Sequence, residues 1–250
     1  MNASSLLIEI FLEELPFSAI KKEIKNIKSK FEKLLNENNI KADMEFFWTP
    51  RRLILLSKNF PHTQESKVLE YFGPPLNIAY DKDNNPSGAT TSFLKRLNID
   101  INDLQTSTKN GKECLYYKTI IDGKKSVDLL EKIIIDFLEN LSFGKSMQWG
   151  SVESSFIRPI RNIFVLFDDE FIELKNIEKK YKFSQTTFIY PHRSKNSKEI
   201  NSIDRYFKFL ESNGVIYSQE RRKERILERI KDIENEKNIK VEIDSTLLDE

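Results

Sequence analysis

Two short apolar runs constrain the fold of this chain more than any other feature. Residues 6–12 are apolar except for Glu9, and residues 163–167 are apolar throughout and precede the turn-forming pair Asp168 and Asp169. Apolar runs of this length, bounded by turn formers, are typical of buried strands. We therefore expect both runs to be strands, and we expect the first to be a central strand covered on both faces.

The length and composition are those of a folded protein. A chain of 250 residues is long enough for one large domain or two modest ones, and 39% of its residues are hydrophobic. Lys and Arg together number 40 against 39 Asp and Glu, so the formal net charge is +1. This balance gives no overall attraction to nucleic acid, and any contact with RNA has to come from local patches.

Cysteine and histidine are too scarce for several kinds of site. The single cysteine, Cys114, excludes an internal disulfide and a cysteine-based zinc site, and the two histidines, His62 and His192, are too few for a histidine-rich metal cluster. The N-terminus lacks a signal-type segment, and no apolar run approaches the length needed to span a membrane. We expect a cytoplasmic protein that holds no metal.

The remaining periodic segments predict helices alternating with strands. Apolar residues at helical spacing predict helices over residues 17–36, 127–141 and 203–210, and a long helix from about Ser218 with Ile226, Ile230 and Ile233 facing inward. Further strand candidates cover residues 44–48, 53–56, 115–121, 170–174 and 183–190.

This order of elements predicts an α+β fold with mixed or antiparallel sheets and packed helices, ending in a long amphipathic helix. We expect residues 1–70 to form an N-terminal β-α-β segment and residues 71–250 a central α+β domain. A single continuous domain is the alternative, because contacts across this division would join the two parts.

The segment before the second apolar run combines cations with an indole. It contains Lys145, Trp149, Arg158 and Arg161. Cations beside an aromatic ring suit an anionic, planar partner such as RNA, in which phosphates and bases are met together. The alternative is a core tryptophan in a loop held by salt bridges.

Two further pairs of polar residues are candidate contacts. Arg51 and Arg52 point to opposite faces of an extended chain, so one can pair with the glutamates of the first strand while the other reaches outward. His192 and Arg193 can meet a phosphate or cap a neighbouring element. The candidate contacts with RNA or a partner subunit are thus Arg51, Arg52, Lys145, Trp149, Arg158, Arg161, His192 and Arg193.

The carboxylates of the first strand are a candidate for acid–base chemistry. Glu9 and Glu13 share a face of an extended strand, whereas Glu14 points to the other. No histidine or aspartate stands beside them in the sequence, so ordinary ion pairs are favoured. The complete Gly-x-x-x-x-Gly-Lys-Ser/Thr motif of a phosphate loop is not present in the sequence. We predict no catalytic residue in this chain.

Several of these segments match one family. Residues 145–150 and 156–161 resemble the Lys-x-Met-Arg-Trp-Gly and Phe-x-Arg-Pro-x-Arg blocks of the bacterial glycyl-tRNA synthetase beta subunit. Residues 49–53 match its Thr-Pro-Arg-Arg-Leu motif, and residues 191–193 lie where the family has Gly-His-Arg-Phe. Residues 6–16 resemble its opening, with Phe and Leu in place of Gly and Thr.

The resemblance implies a subunit of an aminoacyl-tRNA synthetase, a ligase that makes glycyl-tRNA for protein biosynthesis. It implies that glycine activation, ATP and magnesium belong to a separate alpha subunit, and that the beta subunit helps to hold tRNA(Gly) in an α2β2 assembly. Members of the family are far longer, so the resemblance covers roughly their first third. We accordingly expect this chain to position tRNA and to contact the alpha subunit, with no cofactor of its own.

Two alternatives remain open from the residues. One is a stand-alone hydrolase or editing-like domain acting on tRNA, with His192 or the pair Glu9 and Glu13 in its active site. The other is a non-catalytic scaffold whose arginines are all paired internally.

Overall fold

A computed structural model describes residues 4–192 and 194–248 of the chain. These residues divide into two compact units. The main unit lies within residues 1–64 and 124–250, and the inserted unit comprises residues 65–123. Compact units are not necessarily independent domains. The predicted division of the chain between residues 70 and 71 therefore stays a prediction.

Strands and helices alternate through most of the chain. In chain order the strands are β1 (Ser4–Leu12), β2 (Glu45–Thr49), β3 (Arg52–Phe60), β4 (Lys67–Pro75), β5 (Gln105–Lys109), β6 (Lys112–Ile121), β7 (Ile160–Phe167), β8 (Glu170–Phe171), β9 (Phe188–Ile189) and β10 (Lys198–Glu199). The α-helices are α1 (Phe17–Glu37), α2 (Leu76–Ala79), α3 (Gly88–Leu97), α4 (Val127–Asn140), α5 (Lys175–Tyr181), α6 (Ile203–Ser212), α7 (Gln219–Lys237) and α8 (Ser245–Leu248).

The main unit is built on one antiparallel sheet. Its strand order is β2-β3-β1-β7-β8, and every neighbouring pair is antiparallel. The succession β1-α1-β2-β3-α4-β7, with β1 at the centre, is the β-α-β-β-α-β arrangement of ferredoxin-like folds. The inserted unit enters this succession between β3 and α4. The structure confirms the predicted α+β class, the antiparallel pairing and the long helix α7.

The central strand is buried on both faces, as its sequence predicts. Leu6, Ile8 and Ile10 belong to the larger core, in which Phe31 of α1 meets Phe137 of α4 edge to face at 5.1 Å between ring centroids. The alternate residues of β1 point to the opposite face, where a second core contains Leu7 together with Tyr206 and Leu210 of α6. Glu9 lies on this second face, so the strand that organises the sheet carries one buried charge.

The inserted unit has a sheet of its own. Its order is β4-β6-β5, all antiparallel, and α2 and α3 accompany it. Gly73 on β4 permits a close approach, because a Cβ there would lie 2.9 Å from the ring of Phe93 and 3.2 Å from Leu115. Any larger residue at this position would push α3 away from the sheet.

Two sequence predictions about the last third of the chain were wrong. The strand expected over residues 183–190 is reduced to β9, because Gln185 bonds through its side chain to the backbone of Leu174, Ile163 and Ile172 and so replaces strand pairing. On α7, Ile226 and Ile233 are 47% and 46% exposed rather than turned inward.

The charged side chains of α7 pair both within the helix and with a neighbouring helix. Arg229 lies 3.5 Å from Asp232 as the three-residue spacing predicts, but Arg221 binds Glu211 of α6 instead. Among the described residues, no helix combines the length and the apolar character that crossing a membrane requires.

Candidate functional site

Two arginines meet one glutamate at the end of the central sheet. Arg51 stands in the turn between β2 and β3, and Arg161 lies near the start of β7. The antiparallel register brings both to Glu13, which follows β1: Arg51 Nη2 is 3.1 Å from Glu13 Oε2, and Arg161 Nε is 3.3 Å from Glu13 Oε1. One carboxylate between two guanidinium groups leaves a local positive charge. The side chain of Arg161 is 61% exposed, so much of that charge faces solvent.

Arg158 adds a third guanidinium group beside this pair. Its Nε donates to the backbone carbonyl of Glu14 at 3.1 Å, and its Nη1 donates to the carbonyl of Ile157 at 3.4 Å. Carbonyl groups orient the side chain without neutralising its charge. We call Arg51, Arg158 and Arg161 the arginine rim.

Arg52 is the buried member of the adjacent arginines, whereas Arg51 is partly exposed. Only 2% of the residue is exposed, and its Nε lies 3.4 Å from Glu9 Oε2, although that N–H makes no hydrogen bond within the described residues. Its Nη2 donates to the carbonyl of Tyr190. The sequence left an ion pair open for one of the two arginines, and the structure pairs both, Arg52 with Glu9 and Arg51 with Glu13. Direct contact of either arginine with RNA or a partner stays a prediction.

The hydroxyl of Tyr206 completes this buried cluster by donating to Glu9. Burial raises the pKa of the Glu9 carboxyl above its ordinary value of 4.5, while the charge of Arg52 and the hydrogen bonds act in the opposite direction. Burial, followed by the charge of Glu9, raises the pKa of Tyr206 well above its ordinary value. Glu9 and Glu13 thus have separate partners, and the predicted alternative of a shared acid–base site is not favoured.

Phe11 forms an aromatic plate under both arginines. Its ring centroid is 5.3 Å from the guanidinium carbon of Arg51 and 4.9 Å from that of Arg52, distances at which a cation is attracted to the ring. Tyr190 stacks on the same ring at 6.2 Å. A cavity of about 250 Å³ opens beside this plate, with His192 in its wall.

The sequence candidate His192 contacts a neighbouring serine. His192 is exposed, and its Nδ1 is 2.7 Å from the hydroxyl of Ser194. Arg193 lies outside the described residues. In the part of the chain that the structure describes, no three His, Cys, Asp or Glu side chains converge as ligands for a metal ion.

Lys145 and Trp149 lie in a different place from the arginine rim. Trp149 is half-buried against the larger core and stacks on Tyr181 with 6.4 Å between centroids, which favours the core alternative for this residue. Lys145 is exposed at the edge of a second cavity, of about 390 Å³. Reciprocal backbone hydrogen bonds of 2.8 and 3.1 Å between Met147 and Phe156 hold the intervening loop.

The sequence as a whole decides the family. A family model described as "Glycyl-tRNA synthetase beta subunit" matches residues 6–250. The chain belongs to this family. Three glycine–tRNA ligase beta subunits illustrate the range of similarity: 42% identity over 257 residues in Helicobacter pylori (strain G27), 32% over 245 residues in Thermotoga neapolitana and 30% over 253 residues in Clostridioides difficile (strain 630).

These alignments also show how much of the relatives is represented. They cover 100%, 98% and 98% of this chain in the same order, but 36% of each beta subunit. The chain therefore spans little more than a third of the length of these relatives.

Membership of the glycyl-tRNA synthetase beta subunit family does not explain every residue of the site. Tyr206 and Tyr190 contribute to the cluster around Arg52, yet neither was a sequence candidate. Tyr206 lies 197 positions from Glu9, and nothing local in the sequence links them. Phe11 did carry a signal, because it replaces a glycine in the family's opening segment.

Proposed function

We propose that this chain is the N-terminal part of the beta subunit of glycine–tRNA ligase, and that it positions tRNA(Gly) and contacts the alpha subunit. The observation that carries the proposal is the family match along residues 6–250, together with relatives named as beta subunits of this ligase. In this proposal glycine activation, with ATP and magnesium, takes place on the alpha subunit of an α2β2 enzyme in the cytoplasm.

The arginine rim supports a role in positioning. Guanidinium groups form forked hydrogen bonds with phosphate oxygens, and phosphate contacts fix the orientation of a nucleic acid without reading its sequence. Arg51 and Arg161 are pre-oriented by Glu13, and Arg158 by backbone carbonyls. Pre-oriented groups lose little side-chain entropy when they bind a ligand. A tRNA bound here would be held in a fixed orientation, which lowers the entropic cost of bringing its acceptor end to the activated amino acid.

Binding to a tRNA(Gly) transcript over a range of salt concentrations tests this proposal. Each phosphate neutralised by a cation contributes roughly 0.7 to 0.9 to the slope of log affinity against log salt. We expect a steep loss of affinity with salt, and a slope lower by about one in Arg161→Ala. Absence of tRNA binding at every salt concentration would instead support the scaffold.

The hydrolase alternative has its own readout. Release of glycine from charged tRNA by this chain alone would establish it, whereas we expect charged tRNA to remain intact over the same period.

A further inference from the structure

The second cavity of the main unit has an unusually polar wall. We call it the serine cavity. It lies between the end of α4, the loop of residues 142–157 and the end of α5, and it has a volume of about 390 Å³. Phe143 and Phe156, edge to face at 5.5 Å, give it one apolar side. Its hydrogen-bonding side chains include Ser142, Lys145, Ser146, Ser154, Ser155 and Tyr181.

In the described part of the chain, these groups are free of protein partners. Within residues 4–192 and 194–248, no protein group forms a hydrogen bond with the hydroxyls of the four serines or of Tyr181, and the ammonium group of Lys145 makes no ion pair. Tyr181 is only 1% exposed. The ring of Tyr181 is the buried part, whereas its hydroxyl reaches the cavity. Lys145, Ser142, Ser146 and Ser155 are exposed, so these hydrogen-bond donors face the open cavity, where a ligand can reach them.

The charge of the cavity is suited to an anion. Glu139 also lines it, but the ammonium group of Lys180 binds that carboxylate. Lys145 is therefore the uncompensated charge of the lining. Burial, and secondarily the charge of Glu139, raise the pKa of Tyr181 to about 12, so its hydroxyl keeps its proton at neutral pH and is available as a donor.

We propose that the serine cavity binds a phosphodiester group of an RNA strand. Lys145 balances the charge of the phosphate, and the hydroxyls of the serines and Tyr181 donate to its oxygens. A phosphate offers acceptor oxygens without donors, which complements a lining that is rich in donors and contains the ammonium group of Lys145. The proposal rests on the proposed function for the presence of RNA, and it adds a second contact, apart from the arginine rim.

Inorganic phosphate tests the chemistry of the cavity directly. It would be titrated into the full 250-residue chain while backbone amide resonances are followed by NMR. We expect saturable shifts at Gly144, Ser146 and Ser155, and a dissociation constant that rises on the order of tenfold in Lys145→Met and in Tyr181→Phe. Lys179→Met, an exposed cation on α5 outside the cavity lining, is the matched control and should leave the constant unchanged.

A second arm identifies the source of the phosphate. The same variants are compared in binding a tRNA(Gly) transcript, where we expect Lys145→Met and Tyr181→Phe each to weaken affinity severalfold relative to Lys179→Met. The proposal is overturned if phosphate shifts none of the three resonances. It is also overturned if phosphate binds but both variants hold tRNA as tightly as the control, since the cavity would then serve a free phosphate compound.

A different result would refute the proposed function itself, namely a wild-type chain that binds neither tRNA nor the alpha subunit. Loss of tRNA binding in the cavity variants, with the control unaffected, supports both the inference and the proposed function.

Discussion

Glu9 on the central strand β1 and Arg52 on the neighbouring strand β3 form an ion pair, 3.4 Å apart, inside the second core of the main unit. Both residues are almost fully buried, at 1% and 2% exposure. Tyr206 of α6 donates to the carboxylate, and Arg52 donates to the carbonyl of Tyr190. The cluster therefore links the sheet to α6 and to the segment that leads to His192.

Glu9→Ala should destabilise the main unit strongly. Removing the carboxylate leaves the guanidinium of Arg52 buried without an opposite charge, which costs roughly 3–5 kcal/mol in comparable pairs. Urea unfolding followed by circular dichroism measures the change. Glu13→Ala is the control: this carboxylate is 39% exposed, and its loss should cost about 1 kcal/mol or less. Equal losses in the two variants would contradict the structural role of the buried pair.

The stability of the chain should carry a pH signature of Glu9. Because burial raises the pKa of the folded carboxyl above 4.5, the folded chain retains a proton that the unfolded chain releases. This contribution is fully present below pH 4.5 and is lost as the pH rises through the folded pKa. We expect the free energy of unfolding of the wild type, relative to Glu9→Gln, to fall from acidic towards neutral pH. A difference that rises over this pH range would mean that the charge of Arg52 lowers the pKa of Glu9 by more than burial raises it.

Phe11→Ala should loosen the site without unfolding the chain. The ring is the surface on which Arg51, Arg52 and Tyr190 lie, so its loss removes two cation–π contacts and one stacking contact. We expect a loss of about 1–3 kcal/mol in urea unfolding and faster amide exchange around Tyr190. Phe188→Ala, an exposed aromatic of the same segment, should leave exchange at Tyr190 unchanged.

The local sequence predicted the elements whose signals are periodic and apolar. The apolar runs became β1 and β7, and the helical spacing in residues 127–141 became α4. The sequence did not predict β5, because this strand is polar and largely exposed. It did not predict β4, because that strand is only partly buried and ends in Gly73, Pro74 and Pro75, residues typical of turns. The isoleucines of α7 show the opposite case, in which an apolar stripe is present but Ile226 and Ile233 stay 47% and 46% exposed.

The candidate site was predictable in its residue types but not in its grouping. The arginine–glutamate pairing was foreseen as an alternative, since Glu9 and Glu13 lie in the first strand segment and could reach Arg51 or Arg52. The sharing of Glu13 by Arg51 and Arg161 depends on the strand order β3-β1-β7, which no local pattern encodes. The contact between Glu9 and Tyr206 likewise depends on where α6 returns to the sheet.

The most direct test compares two activities of the ligase assembled from alpha subunit and full-length beta subunit. In the double variant Arg51→Ala with Arg161→Ala, we predict that transfer of glycine to tRNA(Gly) falls on the order of tenfold or more, because two phosphate contacts are lost. Glycine-dependent ATP–pyrophosphate exchange should stay unchanged in this double variant. In the control Lys33→Ala on α1, both exchange and transfer should stay unchanged. An equal fall in exchange and transfer, or no change in either, would contradict a tRNA-positioning role for this part of the beta subunit.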